Sequence, residues 1–202
     1  MPEQQETDYI VLRKQEYSEH SLIVSGISPE FGRLDFIVKG AVGGIKRAYP
    51  AVELFRLLHI TFIPGEDSLG RLKAVELLES FDSLANHYPC YETAVLIATF
   101  SLLNVMPMLP HPLYANAVEV ALRRLSKNAM PGDAVLTGVC MAFLFEAGWL
   151  THALQDGKAI EQCRILLEMA SGKEAPLLSD ESCRQQLDWA KSMLLYNECR
   201  LP

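Results

Sequence analysis

The sequence predicts an α+β protein: a small five-stranded barrel over residues 1–80, followed by an all-α helical domain over residues 81–202. Three observations carry this. In the first part, apolar residues alternate with polar ones in short runs, the period of a half-buried strand. In the second part they recur at three- and four-residue spacing, the period of a helix with one apolar stripe. The five runs of the first part are closely connected, and closing them into a barrel removes the exposed edges that an open sheet would leave. The OB-fold is the most economical barrel of this size.

Residues 1–7 are polar and are expected to fray. Asp8 to Arg13, DYIVLR, reads as the first strand, Tyr17-Ser18-Glu19-His20 as a turn, and Ser21 to Ile27 as the second strand, stopped by Ser28-Pro29. After a turn at Phe31-Gly32, Arg33 to Lys39 reads as the third. Leu34, Phe36 and Val38 share one face there, and Arg33, Asp35, Ile37 and Lys39 the other. That strand ends at Gly40 and gives way to a glycine-rich basic loop holding Gly43, Gly44, Lys46 and Arg47. Residues 51–63, AVELFRLLHITFI, are rich in strong β-formers and read as one long fourth strand. Pro64-Gly65-Glu66-Asp67 turns the chain, and Gly70 to Leu78 supplies the fifth strand or a strand that rolls into helix.

Tyr91 to Val105 reads as a buried helix, broken by Met106-Pro107-Met108-Leu109-Pro110-His111-Pro112 because proline cannot continue a helix interior. Leu113 to Leu125 is a second helix. Asp133 to Ala147 is a third, ended by Gly148, a residue suited to the C-cap. Ile160 to Met169 and Ser182 to Tyr196 complete the set, the last with an acidic start that suits the helix dipole.

The bulk numbers exclude several classes. Half of the 202 residues are hydrophobic and 21% are charged, so the chain is globular in composition, not disordered. The net charge is −7, with 9 Lys+Arg against 12 Asp+Glu in residues 1–80 and 9 against 13 in residues 81–202. Neither part is a basic coat for nucleic acid. Any DNA binding must come from a local patch and be weak and sensitive to salt. The five cysteines are scattered and never form C-x-x-C, so free thiols in a reducing cytoplasm are expected, with no zinc and no cofactor. No apolar run is long enough to span a bilayer, and no membrane association is expected.

Taken in order, several segments resemble one family. They are Ile10-Val11-Leu12, Tyr17 to Val24 (YSEHSLIV), Phe31-Gly32-Arg33-Leu34, Val38-Lys39-Gly40-Ala41 and Ala74-Val75-Glu76-Leu77. Their order and spacing resemble the RecO family of bacterial recombination mediators, and Phe143 to Leu154 resembles its helical domain more loosely. The resemblance implies an N-terminal OB-fold, a helical second domain and no catalysis. It also implies binding of single- and double-stranded DNA, annealing of strands held by the single-stranded-DNA-binding protein, and loading of RecA together with RecR. Two departures stand out. Many family members carry a four-cysteine zinc finger that the region from Trp149 to Glu161 lacks, and the loop after Gly40 keeps only Lys46 and Arg47 of the usual arginines. A RecO-derived protein-interaction module with little or no DNA binding of its own is therefore the alternative.

Candidate DNA contacts follow from where long cations sit. Lys39, Lys46 and Arg47 lie at a strand exit and in a loop, where they either follow a phosphate backbone or are simply solvated. Arg33 shares the face of Lys39 and either joins that groove or pairs with Glu30 or Asp35. Arg13, beside Lys14, extends the patch or guards a strand edge. Tyr49 and Phe31 flank the basic segment; each either stacks a base or packs in the barrel. In the helical domain Arg123, Arg124 and Lys127 cluster beside apolar residues. The family analogy makes them the rim of a groove for the acidic, apolar C-terminal tail of the single-stranded-DNA-binding protein. The plain reading is a solvated helix face.

Other chemistry finds no support. Gly40 to Arg47 lacks the Lys-Ser/Thr pair of a phosphate-binding loop, the histidines never pair at i, i+4, and no G-x-S-x-G is present.

Overall fold

The computed structural model describes residues 3–40, 49–65, 69–150, 157–176 and 178–202. Within them lie five strands: β1 (Gln5–Ser18), β2 (Ser21–Ser28), β3 (Gly32–Lys39), β4 (Arg56–Ile63) and β5 (Leu69–Ser80). After a 3-10 turn at Asp82–Asn86 come α1 (Tyr88–Asn104), α2 (Pro112–Ser126), α3 (Gly132–Glu146), α4 (Gly157–Ala170) and α5 (Asp180–Tyr196). The chain divides into two compact units, Met1–Asp82 with Val105–Pro112, and Ser83–Asn104 with Leu113–Pro202.

The strands close into a barrel in the order β1-β2-β3-β5-β4. Every neighbouring pair is antiparallel except the β3–β5 seam, which is parallel and covers only Asp35 opposite Leu69 and Phe36 opposite Gly70. This is an OB-fold, as expected. Its interior follows from alternation, since Tyr9, Val24, Leu34, Phe36, Val38, Leu58, Ile60, Phe62 and Leu72 all point inward and are buried. Aromatic rings run through it edge to face. Tyr9 meets Phe36 at 5.3 Å, Phe36 meets Phe62 at 5.3 Å, and Phe62 meets the half-buried Phe31 at 5.4 Å.

Two glycines make room for those rings. A Cβ on Gly26 would stand 2.7 Å from the Tyr9 ring and 2.0 Å from the Ile10 carbonyl oxygen; one on Gly70 would stand 2.8 Å from the Phe36 ring. The Tyr9 hydroxyl donates to the Leu34 carbonyl at 3.1 Å, so its polar end is satisfied inside the barrel.

The strand boundaries differ from expectation in two places. The polar start does not fray: Gln5 to Ile10 pair with β4, and the same strand runs on past Ile10 to pair with β2 as far as Ser18. Glu6 and Asp8 face outward from this ladder, and the buried Thr7 hydroxyl is bonded to Ser28 (2.6 Å) and to Glu30. The fourth strand begins only at Arg56. Tyr49 and Phe55 have φ of 55° and 54°, and the Val52 N–H donates to the Tyr49 carbonyl at 3.0 Å. The β-formers of this segment build a turn whose Val52 side chain joins the barrel core.

The proline-rich break between α1 and α2 is present and groups with the barrel. Its backbone runs against the β2–β3 turn. The Arg33 N–H donates to the Met106 carbonyl (3.2 Å), and the His111 N–H donates to the Pro29 carbonyl (3.0 Å). Gly32, at φ 61°, lies so close that a Cβ there would stand 2.2 Å from the Leu109 oxygen and 2.5 Å from the Met106 oxygen. Glycine is needed here for both its conformation and its size.

In the second unit α3 is the central helix. It packs against α1, α4 and α5 and is buried on nearly every side, as an all-apolar helix should be. Gly138 brings it near α4, with an added Cβ 3.6 Å from that of Ala170. Gly148 ends the turn after α3 at φ 75°, and Ser179 caps α5 by accepting from the Ser182 N–H at 3.2 Å. The Asn104 side chain brackets the backbone of Arg200, donating to its carbonyl (2.9 Å) and accepting from its N–H (2.8 Å). No helix among the described residues is long and apolar enough to cross a membrane.

Two measurements test the barrel. Gly32→Ala is expected to destabilise the protein by at least about 1–3 kcal/mol in urea unfolding, the cost of a strained backbone before any clash is counted. On the outer wall His59 of β4 meets Asp8 of β1 at 2.8 Å and stands opposite Glu76 of β5. The hydrogen bond to Asp8, then the charges of Asp8, Glu6 and Glu76, outweigh partial burial and raise the imidazole pKa above its ordinary value. A raised folded pKa means that the pair's contribution is complete below the unfolded pKa and is lost as pH climbs through the folded one. A ring-proton NMR titration of His59 should give a midpoint above about 6.5, and Asp8→Asn should bring it back down.

Candidate nucleic-acid interface

The outer face of β3 carries Arg33, Asp35, Ile37 and Lys39 in alternation, as expected. Of the two partners considered for Arg33, Asp35 is bonded. The guanidinium Nε lies 3.0 Å from Asp35 Oδ2, and that carboxylate is only 15% exposed. Its other oxygen, Oδ1, is buried without a hydrogen-bond partner. Arg13 is in register with Ser25, and Ser25 with Asp35, so the three form one row across β1, β2 and β3. The exposed Arg13 guanidinium donates to Ser25 Oγ at 3.1 Å. Two guanidinium groups thus flank one largely buried carboxylate, and Lys14 beside them is bonded to Glu53.

Lys39 is exposed at the end of β3 and has no acidic partner among the described residues. Lys46 and Arg47 lie outside the described residues. Tyr49 is half-buried against the barrel core, and its hydroxyl donates to the Leu72 carbonyl at 3.1 Å. Phe31 likewise packs against Phe62. Both rings are committed to the barrel.

Two exposed cations not nominated from sequence, Arg71 and Lys73, belong to β5. Arg71 stands opposite Ile63, Leu72 opposite Phe62 and Ala74 opposite Thr61, which leaves Lys73 as the extra residue of a bulge. A bulge re-aims the side chain it carries. Because β3 and β5 run parallel from Phe36 opposite Gly70, Lys39 and Lys73 each come three residues further along the same direction. The alternation Arg71-Leu72-Lys73 was visible in the sequence; the parallel pairing that points it toward the same end of the barrel as Lys39 was not. Glu6, Asp8 and Glu76 lie on the β1–β4–β5 wall, where Glu6 is in register with Thr61 at the bulge.

In the helical unit two of the three nominated cations are already bonded within the fold. Arg123 is bonded to Glu119 at 2.7 Å, and Arg124 donates to the Lys173 carbonyl at 3.2 Å, with burial lowering its pKa. Lys127 is exposed just beyond α2. A separate groove of about 240 Å³ lies among α2, α3 and α4, floored by Leu113, Ala117, Ala142, Phe145, Leu167 and Ala170. Arg164, Glu168 and Lys173 edge it, and Arg164 is already held by Glu161 and Glu168, both at 2.6 Å.

The described residues offer little for covalent or metal chemistry. No group of three His, Cys, Asp or Glu side chains among them could hold a metal ion. The five cysteines are free, and burial pushes the Cys140 thiol up to about 12, far from thiolate formation at neutral pH.

Residues 1–81 match the family described as Recombination protein O N terminal. Two curated relatives, each named DNA repair protein RecO, come from Listeria monocytogenes serotype 4b, strains CLIP80459 and F2365. Each is 33% identical over 75 residues, which cover 37% of this chain and 29% of the relative. The match spans less than a third of those relatives' length.

The placement of Tyr49 gives a direct test. Tyr49→Phe should lower stability by about 0.5–1.5 kcal/mol in thermal or urea unfolding, the worth of one hydrogen bond, and leave nucleic-acid affinity unchanged.

Proposed function

We propose that this chain, which belongs through its N-terminal domain to the recombination protein O family, is a non-enzymatic DNA-binding mediator of recombination and repair. The observation that carries the reading is an OB-fold of that family with exposed cations gathered at one end of its β3–β5 seam. Phosphates meet Lys39 and the loop cations Lys46 and Arg47. Arg13 and Arg33 add positive potential from the side, and Tyr49 shapes the turn before β4. Contacts of this kind grip the backbone and leave base edges free, which a protein that anneals complementary strands requires. The domains act as residues 1–80, which hold DNA, and residues 81–202, which hold protein partners in the cytoplasm.

The proposed partners are RecR, the single-stranded-DNA-binding protein and, through them, RecA. The acidic, apolar tail of the single-stranded-DNA-binding protein has its apolar seat in the groove of Phe145 and Leu167. Lys173 at its edge is the complementary charge, and Arg123, Arg124 and Lys127 contribute a more distant field.

A second reading is favoured by one observation, the ion pairing of cations that a DNA groove would use. Arg33 is held by Asp35, Lys14 by Glu53 and Arg56 by Asp82, within a chain of net charge −7. In that reading the protein is a RecO-derived interaction module with little DNA contact of its own. Fluorescence anisotropy with labelled single- and double-stranded oligonucleotides decides between them, together with an annealing assay on complementary strands. The mediator should bind at low salt, with log affinity falling by about 0.7 per single-strand phosphate contacted for each tenfold rise in salt, and should speed annealing. Absent binding at low salt, with the partner tail still bound, establishes the interaction module instead.

A further inference from the structure

We infer that the β3–β5 seam is itself a binding track for single-stranded polynucleotide, in which Arg71 and Lys73 of β5 act with Lys39 of β3. The inference rests on the DNA-binding reading above and extends it to residues on a different strand. Three observations carry it. Lys39, Arg71 and Lys73 are all exposed, and none has an acidic partner among the described residues, unlike Lys14, Arg33 and Arg56. A phosphate arriving at the seam displaces only counterions and water; at Arg33 it would compete with a bonded carboxylate.

The second observation is register. The parallel pairing at Asp35–Leu69 and Phe36–Gly70 sends both strands toward the same end of the barrel, and all three cations follow that pairing in the same direction. The third is the bulge at Lys73, which lifts one residue out of the ladder opposite Phe62 and Thr61 and presents its ammonium outward. Neither β3 nor β5 carries an exposed aromatic ring, and Tyr49 and Phe31 are packed against the core; the exposed ring of Tyr17 belongs to β1. The track therefore grips phosphates without reading bases, and its affinity is electrostatic.

The test uses the full chain and fluorescein-labelled oligothymidylate of about 16 nucleotides, the upper site size of one OB-fold. Arg71→Gln/Lys73→Gln should bind about 25-fold more weakly at about 0.1 M salt and show a salt slope shallower by about 1.4, the counterion-release values for two single-strand phosphates. The charge-retaining Arg71→Lys/Lys73→Arg should stay within roughly twofold of the parent. So should Arg184→Gln/Lys191→Gln, which removes the same net charge from α5. Circular dichroism melts confirm that each variant is folded. If the seam variant binds like the parent, the track is overturned while DNA binding stands. If the parent itself does not bind at low salt, both fall. An equal loss in the α5 variant would show a response to net charge alone and overturn the site. Competition by poly-glutamate as effective as that by oligothymidylate, at equal charge, would overturn polynucleotide as its ligand.

Discussion

Closure of the barrel depends on the Phe36 ring lying against the α-carbon of Gly70. The parallel seam consists of two residue pairs, and one of them is this contact. A side chain at position 70 would push β5 off the ring, opening one of the two joints, with β1–β4, that local hairpins cannot make. The ring in turn is fixed edge to face between Tyr9 and Phe62. An aromatic column that locks the interior thus also sets where β3 and β5 meet on the outside, and that is where the exposed cations stand. Core packing and surface charge are two faces of one constraint.

An acidic protein can present a cationic strip only if its charges are kept apart. At physiological salt, fields are screened within about 8 Å, so a strip on one flank is little affected by acids on another. Here Asp8, Glu76 and His59 occupy the β1–β4–β5 wall, while Lys39, Arg71 and Lys73 mark the β3–β5 flank. Asp35 lies between these regimes. It ties up Arg33 and keeps one oxygen buried and unbonded, so the row with Arg13 is a poorer place for an anion than its arginine content implies.

Much of this was legible in the sequence, for identifiable reasons. Alternation along Arg33 to Lys39 declared both faces of β3, and the three- and four-residue period declared the helices. The start of β1 was illegible because an outward-facing Glu6 gives no apolar signal even when its backbone is paired. The segment 51–55 misled because Val52 and Phe55 are strand-forming residues used in a turn, held by left-handed backbone at Tyr49 and Phe55. Arg71 and Lys73 were passed over because pairing between β3 and β5 joins residues more than thirty positions apart. The Arg123 pair with Glu119 was readable from its four-residue spacing, whereas the carbonyl of Lys173 that holds Arg124 came from a remote turn.

The path of residues 105–112 bears on how the protein is made. Backbone groups of Arg33 and Pro29 find their partners on Met106 and His111, which follow α1 in the chain. On the ribosome, therefore, a barrel whose five strands have already emerged must wait with those groups hydrated while a whole helix of the other unit is synthesised. The first unit is finished only after the second has begun, so the two are interleaved in time as well as in sequence. A proteolytic cut after residue 82 would separate the strands from the last piece that completes them.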